Sequence, residues 1–143
     1  MDNSFWVHAH GGLTHFPIAL LMVSAAFDLA AAILPDSPDK VRRLSLRAAG
    51  FYTLMLAALG ACGAVVSGLL LSHGEVWGKG NMARHHVFLW PAFGLLLFLA
   101  VWRLALSKTA SAAALRIYLA VVVMAALLMG AAGFWGGELL LNG

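Results

Sequence analysis

The sequence predicts an all-α integral membrane protein, a four-helix up-down bundle with both termini on the periplasmic side. Composition, the lengths of the apolar runs and the placement of the cations carry that expectation. Of 143 residues, 62% are hydrophobic and only 10% are charged, too few polar groups to coat a water-soluble surface. Four apolar stretches, approximately 13–34, 48–71, 87–106 and 117–135, each supply the roughly 20 residues that a helix needs to cross about 30 Å of hydrocarbon. The net charge of +3 reports orientation before it reports any anionic partner.

The first span opens at Leu13 behind the Gly11-Gly12 pair and ends at Pro35, where Pro35, Asp36, Ser37, Pro38 and Asp39 form a turn that no helix continues through. No Lys or Arg precedes this span and Asp2 does, so it reads as a retained helix rather than a cleaved signal peptide. The second span closes at His73-Gly74. Ser107, Lys108 and Thr109 separate the third from the fourth. Connections this short make sequential helices antiparallel neighbours and leave the chain, residues 1–143, as one four-helix domain. Lys40, Arg42, Arg43, Arg47, Arg103, Lys108 and Arg116 flank one side of the membrane, whereas Lys79 and Arg84 alone flank the other. The cation-rich side is the cytoplasmic one. Trp6, Trp77, Trp90 and Trp135 then form an outer interfacial belt and Trp102 belongs to the inner one.

Small residues recur in the second span at Gly60, Ala64 and Gly68, and in the fourth at Gly130, Gly133, Gly136 and Gly137. They suit close helix approach, or space for a flat group lying on the helix. Cys62 is alone and forms no intramolecular disulfide. No basic tract interleaved with aromatics is present, which argues against nucleic-acid binding. Asp28 lies in the inner third of the first span. Its expected role is structural, paired with Arg47 or hydrogen-bonded to Tyr52 or Thr53.

All six histidines fall on the outer side. His8, His10 and His15 precede or open the first helix, His73 closes the second, and His85 and His86 open the third. Imidazole is the usual axial ligand of a b-type haem in a membrane bundle. It also binds zinc, copper or nickel, and it titrates near neutral pH. Haem is favoured over a bare ion by the neighbouring faces. The face of His15 continues as Ala19, Met22 and Ala26, and that of His86 as Trp90, Phe93 and Gly94. The His85 face, with Leu89, Ala92 and Leu96, is the one expected to meet lipid. His15 and His86 are therefore the expected axial pair, with His85 the alternative to His86. His10 and His73 are further ligands, enough for one haem b or two.

The opening stretch HGGLTHFPIALL resembles a bacterial four-helix membrane family, domain of unknown function 2231. Members of that family begin with His-Pro-x-x-x-His-Phe-Pro-Ile-Ala-Leu, followed by a glycine-containing second span and a histidine opening the third. His10, His15, Phe16, Pro17, Ile18, Ala19 and Leu20 match the first pattern, with Gly11 in place of the proline. Gly60, Gly63 and Gly68 stand for the second, and His85 or His86 for the third. Relatives joined to cytochrome c-like or Rieske-type domains imply electron transfer at the outer face of a bacterial inner membrane. The expectation is a membrane cytochrome b-like protein or subunit. It would pass electrons between a periplasmic redox protein and quinone or a larger respiratory complex. No nucleophile–base pair or paired carboxylates suggest turnover by this chain alone. A transition-metal-binding or transport protein using the same histidines, or a structural small subunit, are the other readings.

Overall fold

In a computed structural model, which describes residues 3–35, 40–105 and 111–142, the chain forms four helices, α1 (Asn3–Ile33), α2 (Lys40–Leu71), α3 (Asn81–Ala105) and α4 (Ala112–Asn142). Each is long and apolar enough to cross a membrane. The turn expected at residues 36–39 and the one at 107–109 lie outside the described residues.

Helix ends that bond to one another fix the topology. His10 near the start of α1 meets Ala64 near the end of α2, and the Arg103 side chain near the end of α3 meets the Arg47 carbonyl near the start of α2. Neighbours are thus antiparallel, and α1 and α3 run the same way. The interior is built from small residues, including Ala25, Ala57, Ala61, Ala92, Ala125 and Ala132. Leu59, Val66, Phe98, Val101 and Leu127 point outward. This is the distribution expected where lipid removes the hydrophobic drive between helices and close backbone approach replaces it.

Helix α1 begins ten residues before the expected Leu13. The Gly11-Gly12 pair, which reads as a helix breaker by propensity, stays helical because its surroundings hold it. Thr14 Oγ1 and His15 Nδ1 both bond back to the Gly11 carbonyl, and His10 is anchored to α2. His8 and His10 therefore sit within the helix and not ahead of it. At the other helix end, α2 stops through its backbone. Gly74 N–H donates to Leu69 O at 2.7 Å and His73 N–H to Leu70 O at 3.4 Å. His73 adopts φ 54° as the left-handed residue of the stop, a conformation that histidine tolerates better than most side chains.

The two hairpins repeat one pattern. The buried residues Pro17, Leu21, Ser24, Ala25 and Asp28 of α1 find their counterparts 75 positions on in α3, at Ala92, Leu96, Leu99, Ala100 and Arg103. Gly50, Leu54, Ala57, Ala61 and Ala64 of α2 recur 68 positions on as Tyr118, Val122, Ala125, Met129 and Ala132 of α4. Helix α1 thus corresponds to α3 and α2 to α4, the relation produced by a pseudo-twofold axis along the bundle.

On that axis, at the end of the bundle where α1 and α3 finish, the two equivalent positions Asp28 and Arg103 bond directly. Arg103 Nη1 and Nη2 grip the two carboxylate oxygens of Asp28, the latter at 2.9 Å. Tyr118 O–H donates to Asp28 Oδ2 at 2.7 Å and accepts from Arg103 Nη1 at 2.7 Å. Nη2 also donates to the Arg47 carbonyl at 2.8 Å. The expected structural role of Asp28 is met by different partners. Tyr52 is 65% exposed, Thr53 bonds to its own helix, and Arg47 contributes its backbone. Arg103, counted as an interfacial cation from the sequence, is instead a partly buried group turned into the bundle against Asp28.

Because one charge left alone in this setting keeps its desolvation cost, Asp28→Asn or Arg103→Met should each destabilise the protein by about 3–5 kcal/mol. The double variant Asp28→Leu/Arg103→Leu should recover most of the loss. Thermal melts of the helical signal in detergent check this ordering. Single variants no less stable than the double would remove the pair from its role.

Candidate functional site

At the opposite end of the bundle the four helices stand apart around a cavity of about 500 Å³. His10 and His15 of α1 and His85 and His86 of α3 line it, together with Trp90, Phe93 and Glu75. The volume lies within the range of small-molecule and cofactor pockets. His8 and His73 do not line it. His8 lies on an exposed part of α1, and His73 lies beside Leu70 and Gly74 in an outward groove.

Each ring is held by a different contact. His10 Nδ1 lies 3.1 Å from the Ala64 carbonyl and 3.0 Å from Ser67 Oγ. A carbonyl oxygen only accepts, so Nδ1 carries the proton and a neutral ring keeps its Nε2 lone pair. His85 Nδ1 reaches the Ala132 carbonyl at 2.8 Å, and His15 Nδ1 bonds to Gly11 O one turn back. Both rings keep an Nε2 lone pair by the same reasoning. This is the tautomer in which imidazole binds a metal through Nε2 while its other nitrogen is oriented by a carbonyl.

His86 is the exception. Its Nδ1 accepts the Gly78 N–H at 3.3 Å, so the proton of the neutral ring lies on Nε2. The ring is stacked between Trp77 and Trp90, with centroids 6.3 and 5.9 Å away. Trp90 Nε1 in turn donates to the Val76 carbonyl at 2.9 Å. His86 and Trp90 thereby fasten the α2–α3 connection over the end of the bundle.

The sequence-stated faces change accordingly. Ala92 and Leu96, on the face assigned to lipid, are fully buried, and Gly94, on the face assigned to the interior, is exposed. Helix α3 is rotated relative to the expectation because Ala92, Leu96 and Leu99 form its core stripe. His85 and His86 both reach the cavity since it sits at the helix end, where side chains on adjacent faces can converge. Below His15, Ala19 and Ala26 are exposed and do not line the cavity.

The glycines make room for side chains. A Cβ on Gly68 would lie 2.9 Å from His10 Cε1, and one on Gly136 3.3 Å from His85 Nδ1. On Gly133 it would meet Ile18 Cδ1 at 2.8 Å, and on Gly60 Pro17 Cδ at 3.5 Å. Close packing is therefore the use of these glycines, and two of them receive imidazole rings. The carbonyls of Ala64 and Ala132 and the hydroxyl of Ser67 were invisible to sequence reasoning. The only hint was a glycine placed one turn after each alanine. At the same end of the bundle, Arg84 lies over the Trp135 ring at 4.7 Å, a cation–π contact. Among the described residues no three His, Cys, Asp or Glu side chains converge closely enough to hold a bare metal ion.

A family model described as "Predicted membrane protein (DUF2231)" matches residues 7–142. Searches of curated proteins and of solved structures find no match to the chain.

His86→Ala removes the acceptor of the Gly78 N–H and the ring between two indoles. It should expose the connection, with tryptic cleavage after Lys79 in detergent accelerating about tenfold, as expected for a contact worth roughly 1.4 kcal/mol. An unchanged cleavage rate would mean that the connection is held by other contacts.

Proposed function

The chain belongs to the DUF2231 family of membrane proteins, and we propose that it is a b-type haem electron-transfer protein or subunit of the bacterial inner membrane. One observation carries this reading. Four imidazoles from two parallel helices line one largely apolar cavity, and three of them are oriented through Nδ1 with Nε2 left to bind iron. Haem suits the residues present better than a bare ion does, because iron in a porphyrin needs only two protein ligands. A bare transition-metal site would call for a third or fourth, and the described residues supply no such cluster. Trp90 and Phe93 provide the apolar walls that a porphyrin requires.

When bound, such a haem supplies one-electron transfer between a periplasmic redox protein and quinone or a larger complex. The chain's own residues hold and orient it. Ala64, Gly11 and Ala132 present carbonyls that fix the imidazole rings, and the apolar walls exclude water, which tunes a redox potential. Glu75, at the rim of the cavity, is a carboxylate within the outer polar layer.

Two measurements test this. The reduced spectrum of the detergent-solubilised protein, purified from cells supplied with haem precursor, should show a Soret band and the α-band of a low-spin b haem. His8→Ala, outside the cavity, should leave it unchanged. A colourless protein that takes up no haem on titration would overturn the reading. For orientation, the cation bias supports termini on the periplasmic side. A reporter that is active only in the periplasm should therefore be active when fused to Gly143, and one that works only in the cytoplasm should be inactive. The reverse pattern would put the cavity on the cytoplasmic side.

A further inference from the structure

The repeat that relates the two hairpins separates the four cavity histidines into two classes. His10 and His85 are equivalent, 75 positions apart in the same register as Leu21 and Leu96 or Asp28 and Arg103. Their anchoring contacts correspond, with a further contact to Ser67 Oγ at His10. Each Nδ1 bonds to the carbonyl of an alanine on the following helix, Ala64 or Ala132. Each ring also rests on the glycine four residues later, Gly68 or Gly136. The register carries one alanine and one glycine into the other across 68 positions. His15 and His86 have no such counterpart, since their equivalent positions are Trp90 and Gly11.

The same register fixes what lies on the axis. Asp28 and Arg103 are equivalent positions on diagonal helices, and they meet across the bundle at its inner end. His10 and His85 lie eighteen residues before them on the same two helices, about 27 Å along the bundle at the helical rise. They are the second pair set across the axis. The inner pair is closed by its own ion pair. In the pair at the other end, each Nδ1 faces a carbonyl, so the neutral form of each ring carries its lone pair on Nε2. Two lone pairs cannot bond to each other, and the cavity lies at their level.

We infer that His10 and His85 are the axial pair of the haem site, held as symmetric ligands from diagonal helices by the carbonyl–imidazole–glycine arrangement that the two hairpins share. This assignment rests on the proposed haem reading and deepens it. His86 has its Nδ1 lone pair engaged by Gly78 and its ring clamped between indoles, so it positions the α2–α3 connection. His15, fixed only to its own helix, borders the cavity without a symmetric partner.

The experiment uses the full chain in detergent, titrated with haem b and read by optical and electron paramagnetic resonance spectra. His10→Ala and His85→Ala should each lose the six-coordinate low-spin signature, and to the same extent. Added imidazole should restore that signature in both, a rescue that a merely structural role would not give. His15→Ala and His86→Ala, which alter the cavity wall, should lower haem affinity but keep the six-coordinate signature of the haem that binds, and His8→Ala, outside the cavity, should change neither. Gly68→Ala pushes on the far end of the His10 ring and not on backbone, so it should weaken the low-spin signal while the helical melt is kept, a control against misfolding. If the wild type binds low-spin haem and His15→Ala or His86→Ala abolishes the signature while His10→Ala or His85→Ala does not, the pairing is overturned and the haem reading stands. Absence of haem binding by the wild type overturns both.

Discussion

A guanidinium and a carboxylate inside hydrocarbon are tolerable only together, and Arg103 with Asp28 is the point on which the bundle is organised. The side chains are 14% and 4% exposed. All four helices contribute to satisfying them: Asp28 from α1, the Arg47 carbonyl from α2, Arg103 from α3 and the Tyr118 hydroxyl from α4. Such a network tolerates little sliding of one helix against another, because a shift of a single residue would strand a charge. It therefore sets the register in which the small residues above it meet. Gly50 has no Cβ to occupy the space of the Asp28 carboxylate, which a Cβ there would approach to 2.7 Å. Ser24 closes the same region by donating to the Gly50 carbonyl at 2.8 Å.

From that fixed end the pseudo-twofold pattern carries order to the other. Equivalent core positions, Leu21 with Leu96 and Ala57 with Ala125, build matched layers of the same depth. The symmetry breaks where the two hairpins face each other differently. Helix α4 presents Gly130 and Gly133 to Met22 and Ile18 of α1. The equivalent positions of α2 are Cys62, which is exposed, and Val65, which lines the cavity. The close glycine approach of α4 to α1 therefore has no counterpart at these positions of α2. The ion-pair network closes the bundle at one end, and at the equivalent cross-axis positions of the other end His10 and His85 line the cavity.

The cavity in turn explains why the histidines differ in what they can do. Anchoring through a carbonyl orients a ring and selects its tautomer without adding charge, which suits a group in an apolar surround. His10 and His85 have that anchoring from a neighbouring helix, so any motion of the ring is coupled to the packing of the hairpin. His86 spends its lone pair on the Gly78 amide and its faces on Trp77 and Trp90. His73 serves the backbone as the left-handed residue that ends α2.

Much of this was legible in the residues alone. Four apolar runs of membrane-spanning length, their order, the segregation of every histidine to one end and the structural role of Asp28 follow from composition and spacing, because the bilayer imposes a length and a polarity that any spanning helix must obey. Tertiary structure alone decided which faces turn inward. Leucines and alanines are equally at home against lipid or protein, so hydropathy could not tell the Ala92–Leu96 stripe of α3 from a lipid face. Propensity likewise stopped α1 at Gly11-Gly12, where contacts to α2 hold it helical. The partner of Asp28 proved to be Arg103, 75 positions away, and not a neighbour in the next helix. The carbonyls that orient His10 and His85 belong to alanines whose side chains carry no signal. Backbone groups acquire chemical meaning only when packing aims them at a ring, and packing is a property of the assembled bundle.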